Sequence, residues 1–365
     1  MSRLVVVKVG TSSVTDEDGV LATAAIDKVA AEVAALRCAG DRVVVVTSGA
    51  IAAGLPVVGL SPRPTDPALL QAISAVGQPV LFAAWQRALG ASGLVAAQVL
   101  LAPLDFGHRR QYLHARQTLS LLLDLGVVPV VNENDAIADD EIRFGDNDRL
   151  SALVAHLLHA DLLVLLTDAP GLLTGDPRLV PEASLIEEVV EVDAALEALA
   201  GGAGSARGSG GMASKLTAAK IAAWSGVRAV IAAAARPGVV ADAVAGTPGV
   251  GTVVVPRPER LAARKLWIAF ALPASGTVHV DAGARRALVE RGVSLLPAGV
   301  VGVDGDFSGD DDAVEIAGPD GQVFAKGLVR VPAAVLRDVA GRRTSALPAD
   351  VPHEVVHRDD LVLLP

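Results

Sequence analysis

Six lysines stand against 25 arginines in this chain of 365 residues, so a lysine here is not background. Two of them, Lys8 and Lys215, lie beside small-residue loops: Gly10-Thr11-Ser12-Ser13 after an apolar run, and Gly208-Ser209-Gly210-Gly211-Met212 before a helical pattern. Glycine lets backbone N–H groups approach an anion closely, and lysine supplies a compact charge that can follow a moving phosphoryl group. The densest polar segment starts at Asn132-Glu133-Asn134-Asp135 and runs on from Glu141 to Arg149. It leaves the run Gly126 to Val131, which reads as a buried strand, and ends at the helical pattern Leu150 to Leu157. Carboxylates and amides are thus gathered where a strand ends and a helix begins, which is where ligands bind in an open α/β sheet. Asn, Asp and Gly also dominate solvated turns, so taken alone the segment reads equally as a loop.

The elements that must position these residues alternate in type. Leu4 to Val9, Arg42 to Val46, Leu94 to Leu101, Gly126 to Val131, Leu162 to Leu166 and Arg228 to Ala232 read as strands, with a further β segment near Ile186 to Glu191. Helical patterns fall between them: Thr23, as a cap, to about Arg37; Pro67 to Leu89; Arg110 to Leu125; and Ala213 to Trp224. Near-continuous apolar strands alternating with helices predict a mostly parallel sheet sandwiched by helices. In that frame Lys8, Gly10, Ser48, Gly49, Asp148, Thr167, Asp168 and Lys215 all fall at strand ends or helix starts. Beyond about Arg257 the texture changes to short strand-like pieces, such as Thr277 to Val280 and Ala313 to Ala317, between Gly, Pro and Asp turns. The domain reading is residues 1–256, a linker over 257–275, and a small mainly-β domain over 276–365.

Composition narrows the function classes. Hydrophobic residues make up 52% and charged residues 20%, enough apolar surface for a large core and too much for a disordered chain. Mean hydropathy of +0.48 raises the membrane question, but the uncharged runs near Val43 to Pro62 and Pro67 to Gln86 are broken by Gly, Pro and polar residues. No signal segment opens the chain, and a single cysteine forbids an internal disulfide, so a cytoplasmic location is expected. That cysteine, Cys38, sits late in a helical pattern and reads as core. A net charge of −10 disfavours nonspecific nucleic-acid or anionic-membrane binding. The Gly208 to Lys215 stretch does not satisfy a Walker A loop, and neither an H-R-D nor a D-F-G set exists, which excludes a protein-kinase site. With no His/Cys cluster, no dedicated transition-metal site is expected.

Several blocks together carry a resemblance. Val7 to Ser12, Val46 to Ile51, Asn132 to Asp135, Phe144-Gly145-Asp146-Asn147-Asp148, Leu166-Thr167-Asp168 and Gly210 to Lys215 closely resemble the amino acid kinase family, over about residues 3 to 255. The pairing of the Asn132 block with the Phe144 block resembles the branch of that family that phosphorylates glutamate. The blocks Val280 to Ala284, Ser294 to Gly299 and Gly305-Asp306-Phe307 look like a PUA domain.

The resemblance implies transfer of the γ-phosphoryl of ATP to the side-chain carboxylate of L-glutamate, the first step of proline biosynthesis. Carried over by position, Ser48, Gly49, Asp135 and Asn147 would hold glutamate. Lys8, Gly10, Thr167, Asp168 and the loop Ser209, Gly210, Gly211, Met212, Ala213, Ser214 and Lys215 would hold ATP. Lys8 and Lys215 would be catalytic, oriented by Asp148, with Mg2+ arriving through the ATP phosphates and no protein metal ligand. Feedback inhibition by proline, a homo-oligomer and functional coupling to glutamyl phosphate reductase are further implications. A carboxylate nucleophile has an unperturbed pKa near ~4, so it is already ionised and needs no general base; the burden is charge neutralisation and alignment.

Simpler explanations cover the remaining candidates. Asp146 either caps the loop or touches substrate; Arg143 pairs with Glu141 or Asp139; Asp176 before Pro177 forms a turn; His156 and His159 are packing or surface residues. Ala169, Pro170 and Leu173 stand where the resemblance leads one to expect polar residues and a tyrosine, and Arg207 is likewise unexpected. The competing readings are a family member acting on aspartate, N-acetylglutamate or a uridine nucleotide, and an RNA-binding protein on a degenerate kinase scaffold. Against RNA, residues 271–350 carry 8 Lys/Arg and 11 Asp/Glu with little aromatic content.

Overall fold

The computed structural model describes all residues but 1, 17, 107–108, 138–146, 181, 202–210, 271, 310–311, 350 and 365. The chain divides into two compact units, Met1–Arg260 and Leu261–Pro365. The first unit opens with β1 (Leu4–Val9), α1 (Thr11–Val14), α2 (Thr23–Cys38), β2 (Arg42–Thr47), α3 (Ala50–Val58) and α4 (Pro67–Gly90). It continues through β3 (Ala96–Leu101), α5 (Arg109–Asp124), β4 (Val128–Glu133), α6 (Asn147–Leu158) and β5 (Leu162–Thr167). It closes with β6 (Glu188–Val189), α7 (Ala194–Ala200), α8 (Met212–Trp224), β7 (Arg228–Ala233), α9 (Val239–Ala245) and β8 (Thr252–Val254). The strands pair in the order β3-β4-β2-β1-β5-β7-β8-β6, all parallel except β7 with β8.

Strand pleating decides where the chemistry points. Val5, Val7 and Val9 join Val43, Val45, Val164 and Leu166 in one core, together with residues of α2, α4 and α9. Successive side chains alternate across a strand, so Val6 and Lys8 leave β1 on the opposite face, where α6 packs. Because β1, β2, β4 and β5 are parallel, Val9, Thr47, Glu133 and Thr167 end at one edge of the sheet. The loops that follow them converge there.

Several local expectations are corrected. Cys38 is exposed, at the last residue of α2, because the helix's buried stripe ends at Leu36. Thr23 is the first helical residue rather than the cap; Ala22 occupies that place and offers no side-chain acceptor. The run from Pro67 is unbroken: α4 has 24 residues, with Gly77 and Pro79 inside it. It is long and apolar enough to cross a membrane by length and composition, yet Leu70, Ile73, Leu81, Trp85 and Leu89 are buried in the protein. The strand expected to stop at Val131 extends to Glu133, so Asn132 and Glu133 belong to β4. α3, α7, α9 and β8 match no expected element, and Thr11–Val14, expected as loop, forms the short helix α1.

α3 lies directly against α4, and the contact admits no side chain between them. A Cβ on Gly77 would stand 1.9 Å from the Ala50 carbonyl oxygen and 2.4 Å from the Gly54 nitrogen. Gly77→Ala is therefore expected to lower the thermal midpoint by several degrees. Overpacking costs ~1–3 kcal/mol, more than the ~0.5–1 kcal/mol alanine gains in a helix. An unchanged melting curve would mean the two helices part without cost.

The second unit contains α10 (Ala263–Phe270), β9 (Gly276–Val280), α11 (Ala282–Arg291), β10 (Val300–Gly305), β11 (Ala313–Ala317), β12 (Val323–Val329), α12 (Ala333–Val339) and β13 (Val356–Leu363). Its sheet runs β10-β9-β11-β12-β13, with only the β9–β11 pair parallel. Val278, Val280, Ile316, Phe324 and Val356 fill its core with Leu288 of α11 and Leu336 of α12. α10 occupies part of the segment read as linker and packs on β12 and β13.

Candidate active site

At the edge where the strands end, Asp148 of α6 gathers two lysines. Its Oδ1 lies 2.6 Å from Lys8 Nζ and its Oδ2 3.3 Å from Lys215 Nζ. Ser214 Oγ donates to the same Oδ2 at 2.7 Å. Lys8 arrives from β1 and Lys215 from the first turn of α8, 207 positions further along the chain. Lys8, Lys215 and Asp148 are all buried, at 4%, 6% and 2% exposure, so the charges act on one another through protein rather than water. Burial would raise the pKa of Asp148, but the charges of Lys8 and Lys215 and hydrogen bonds from Lys8 and Ser214 hold it at about 2. Asp148 is ionised at neutral pH, and one carboxylate fixes two ammonium groups. Gly10 sits against them: a Cβ there would lie 3.4 Å from Lys8 Nζ.

One cavity of about 660 Å³ opens among the ends of β2 and β4, α3 and the segment before α4. Ser48, Gly49, Asn132, Asp135 and Asn147 are on its wall. Gly49 caps α3 with φ of 110°, a conformation side chains rarely adopt, and lets the chain turn from β2 into the helix. Asn147 Oδ1 accepts the Glu133 backbone N–H at 3.1 Å, and Asn132 Nδ2 donates to Gln78 Oε1 at 2.7 Å; these bonds tie the start of α6 and the body of α4 to β4. Asp135 is 7% exposed, and its Oδ1 has no hydrogen-bond partner among the described residues. Burial pushes its pKa up to about 6, with the charge of Arg63 opposing part of the shift. A buried carboxylate of that kind calls for a cation.

A second cavity, about 470 Å³, lies between the segment after β5 and the start of α8. Ser12, Thr167, Asp168, Gly211, Met212 and Lys215 line it, with Ala169, Pro170 and Leu173 giving it an apolar side. Thr167 is buried at the end of β5 and donates from Oγ1 to the exposed Asp168 at 3.0 Å. Ala213 and Ser214 are not on this wall; the Ser214 hydroxyl turns to Asp148 instead. Ser209 and Gly210, with Arg143, Phe144, Gly145, Asp146 and Arg207, lie outside the described residues. Asp176 accepts from the Arg178 backbone N–H at 2.9 Å, the turn expected of it. His156 is buried on α6, and burial and the positive charges of His159, Arg260 and Arg116 lower its pKa to about 4, so its imidazole is neutral. Asn132 and Arg63 line the first cavity without having been singled out. Asn132 lay within a block already noted; Arg63 sits in a proline-flanked loop that gave no signal.

The model described as the amino acid kinase family matches residues 3–233, and a PUA domain matches residues 276–349. This chain belongs to the amino acid kinase family. Its relatives include proteins named glutamate 5-kinase along its whole length. The one from Trichlorobacter lovleyi is 45% identical, covering 99% of this chain and 97% of the relative. That from Moorella thermoacetica is 44% identical (100% and 97% covered), and that from Rhodococcus jostii 46% (99% and 96%). Among solved structures, carbamate kinase from Giardia lamblia bound to AMP-PNP shares the fold, with a TM-score of 0.50 at 18% identity, covering 70% of this chain and 99% of that one.

Proposed function

We propose that this protein is a kinase that transfers the γ-phosphoryl of ATP to the side-chain carboxylate of L-glutamate, giving γ-glutamyl phosphate and ADP. The observation that carries the reading is the shared carboxylate: Lys8 and Lys215 meet on Asp148, Lys215 lines the second cavity, and Asp135 of the first has a buried Oδ1 with no hydrogen-bond partner among the described residues. The glutamate 5-kinase relatives, which this chain matches from end to end, support the choice of acid.

Glutamate occupies the first cavity, with its α-ammonium on Asp135 and further contacts from Ser48, Gly49 and Asn147. ATP occupies the second, with its phosphates toward Gly10, Gly211 and Lys215. A carboxylate oxygen attacks the γ-phosphorus and the bond to the ADP oxygen breaks; no proton moves, so no general base is needed. Lys8 and Lys215 neutralise charge gathering on the transferred group, and Asp148 and Ser214 hold them in place. Mg2+ would arrive on phosphate oxygens and water. When bound it neutralises phosphate charge.

Proline, which shares the α-ammonium and α-carboxylate of glutamate, fits the first cavity as an inhibitor. The exposed Leu69, Val76 and Val80 along α4 favour a homo-oligomer. A cytoplasmic location and delivery of the labile acyl phosphate to glutamyl phosphate reductase complete the reading. The PUA domain is structural or regulatory; deleting residues beyond Arg257 is expected to alter activity or its inhibition.

Asp135 sets a pH dependence. Its folded pKa is raised, so protonation favours the native state as pH falls through about 6, while ammonium binding needs the charged form. KM for glutamate is expected to rise steeply below about pH 6, and Asp135→Asn to flatten that rise at a uniformly high KM. Steady-state kinetics against pH measure both. The reading as a whole is tested by ATP turnover with hydroxylamine, which traps an acyl phosphate as a hydroxamate. Glutamate is expected to give hydroxamate, and aspartate and N-acetylglutamate little; the reverse ranking would overturn it.

A further inference from the structure

The first cavity offers a buried acid to an α-ammonium, but an amino acid also brings an α-carboxylate, which costs heavily to desolvate without a cation. Lys8 and Lys215 do not line this cavity. Among its described wall residues Arg63 is the one basic side chain. It stands on the connection between the αL cap Gly59 of α3 and Asp66, whose side chain caps α4 at Leu69. Pro62 and Pro64 flank it, and a residue before proline is biased to extended backbone, so the backbone at Arg63 has little freedom to lose on binding. Arg63 and Asp135 line the same cavity, the positive charge of Arg63 opposes the rise that burial imposes on the Asp135 pKa, and no ion pair among the described residues claims Arg63.

We propose that Arg63 binds the α-carboxylate of the amino-acid substrate, so that Arg63 and Asp135 together read the zwitterionic end while the side-chain carboxylate reaches toward Lys8 and Lys215. This rests on the glutamate reading above and names its specificity-determining pair. A guanidinium presents two parallel N–H donors to a carboxylate, which an ammonium cannot, so both charge and shape contribute. An acceptor with a neutral α-carboxamide loses that contact and leaves the arginine without its partner.

The test compares L-glutamate with L-isoglutamine, which keeps the side-chain carboxylate and the α-ammonium but carries an α-amide. The wild-type chain and the variants Arg63→Ala and Arg63→Lys are assayed by hydroxamate formation and, without nucleotide, by calorimetric titration with L-glutamate. Arg63→Ala is expected to raise KM for glutamate at least roughly tenfold with kcat and KM for ATP nearly unchanged, as loss of a charge-assisted contact predicts. Its preference for glutamate over isoglutamine should shrink by the same factor, and Arg63→Lys should recover part of both. If Arg63→Ala binds and turns over glutamate like the wild type, the assignment to Arg63 is overturned while the glutamate reading stands. If the wild-type chain neither binds nor phosphorylates glutamate, the glutamate reading and this assignment are overturned together.

Discussion

Asp148→Asn is expected to lower kcat by about two orders of magnitude or more and to weaken the fold at the same time. The substitution keeps the shape of the side chain and removes the charge that two buried ammonium groups share. Removing one partner from a buried ion pair costs roughly 3–5 kcal/mol, because the other charge stays desolvated. Here two charges are stranded, and each can escape by losing its proton or by swinging toward the open cavity. Either route would disarm the proposed mechanism, which needs both ammonium groups charged and facing the transferred phosphoryl group. The acid response should change too. The folded pKa of Asp148 lies at about 2, below its ordinary 3.8, so its contribution is present above pH 3.8 and lost as pH falls through about 2. The asparagine variant should lack that component of acid unfolding. Steady-state kinetics and denaturant titrations at neutral and acid pH would show it; full activity in the variant would mean the lysines are held without Asp148.

Lys8→Ala and Lys215→Ala are each expected to cut kcat by roughly two to three orders of magnitude, the scale of removing one electrostatic stabiliser from a transition state. KM for glutamate should change much less, because in the proposed mechanism the acid is held by Asp135 and Asn147, which line the first cavity, and the lysines act where charge develops. Arginine at either position should not restore activity: the planar guanidinium is too large for a site where Nζ already lies 2.6 or 3.3 Å from a buried carboxylate. The double variant should lose less than the product of the single losses, since the two cations share one partner and one task. A variant that kept kcat and raised only KM would make its lysine a ground-state binder.

Much of the arrangement could be read from the residues, for a reason seen in β1. A lysine inside an otherwise uninterrupted apolar strand has to come out on one face of a parallel sheet, and the pleat sends Lys8 toward α6. Thr167 and Asp168 follow β5 by the same logic. Periodicity could not reveal α3, whose Ala, Gly and Pro content suits a loop as well as a helix; it exists because Gly54 and Gly77 let it lie on α4. Nor could it reveal that Asn132 and Glu133 remain in the strand, since polar residues normally mark a strand's end. Arg63 was invisible because an arginine between prolines looks like any solvated turn; only the folded chain sets it opposite Asp135. Cys38 misled for the opposite reason: helical spacing identifies a stripe, not the turn at which the stripe leaves the core.

The claim that a carboxylate attacks phosphorus directly can be measured with glutamate carrying heavy oxygen in its side-chain carboxylate. Turnover with ATP and hydroxylamine should release phosphate bearing one heavy oxygen, because the bridging atom of the acyl phosphate comes from the acid and leaves with phosphorus. Phosphate free of label, released at the same rate as ATP is consumed, would mean that water rather than glutamate accepts the phosphoryl group, and would contradict the account.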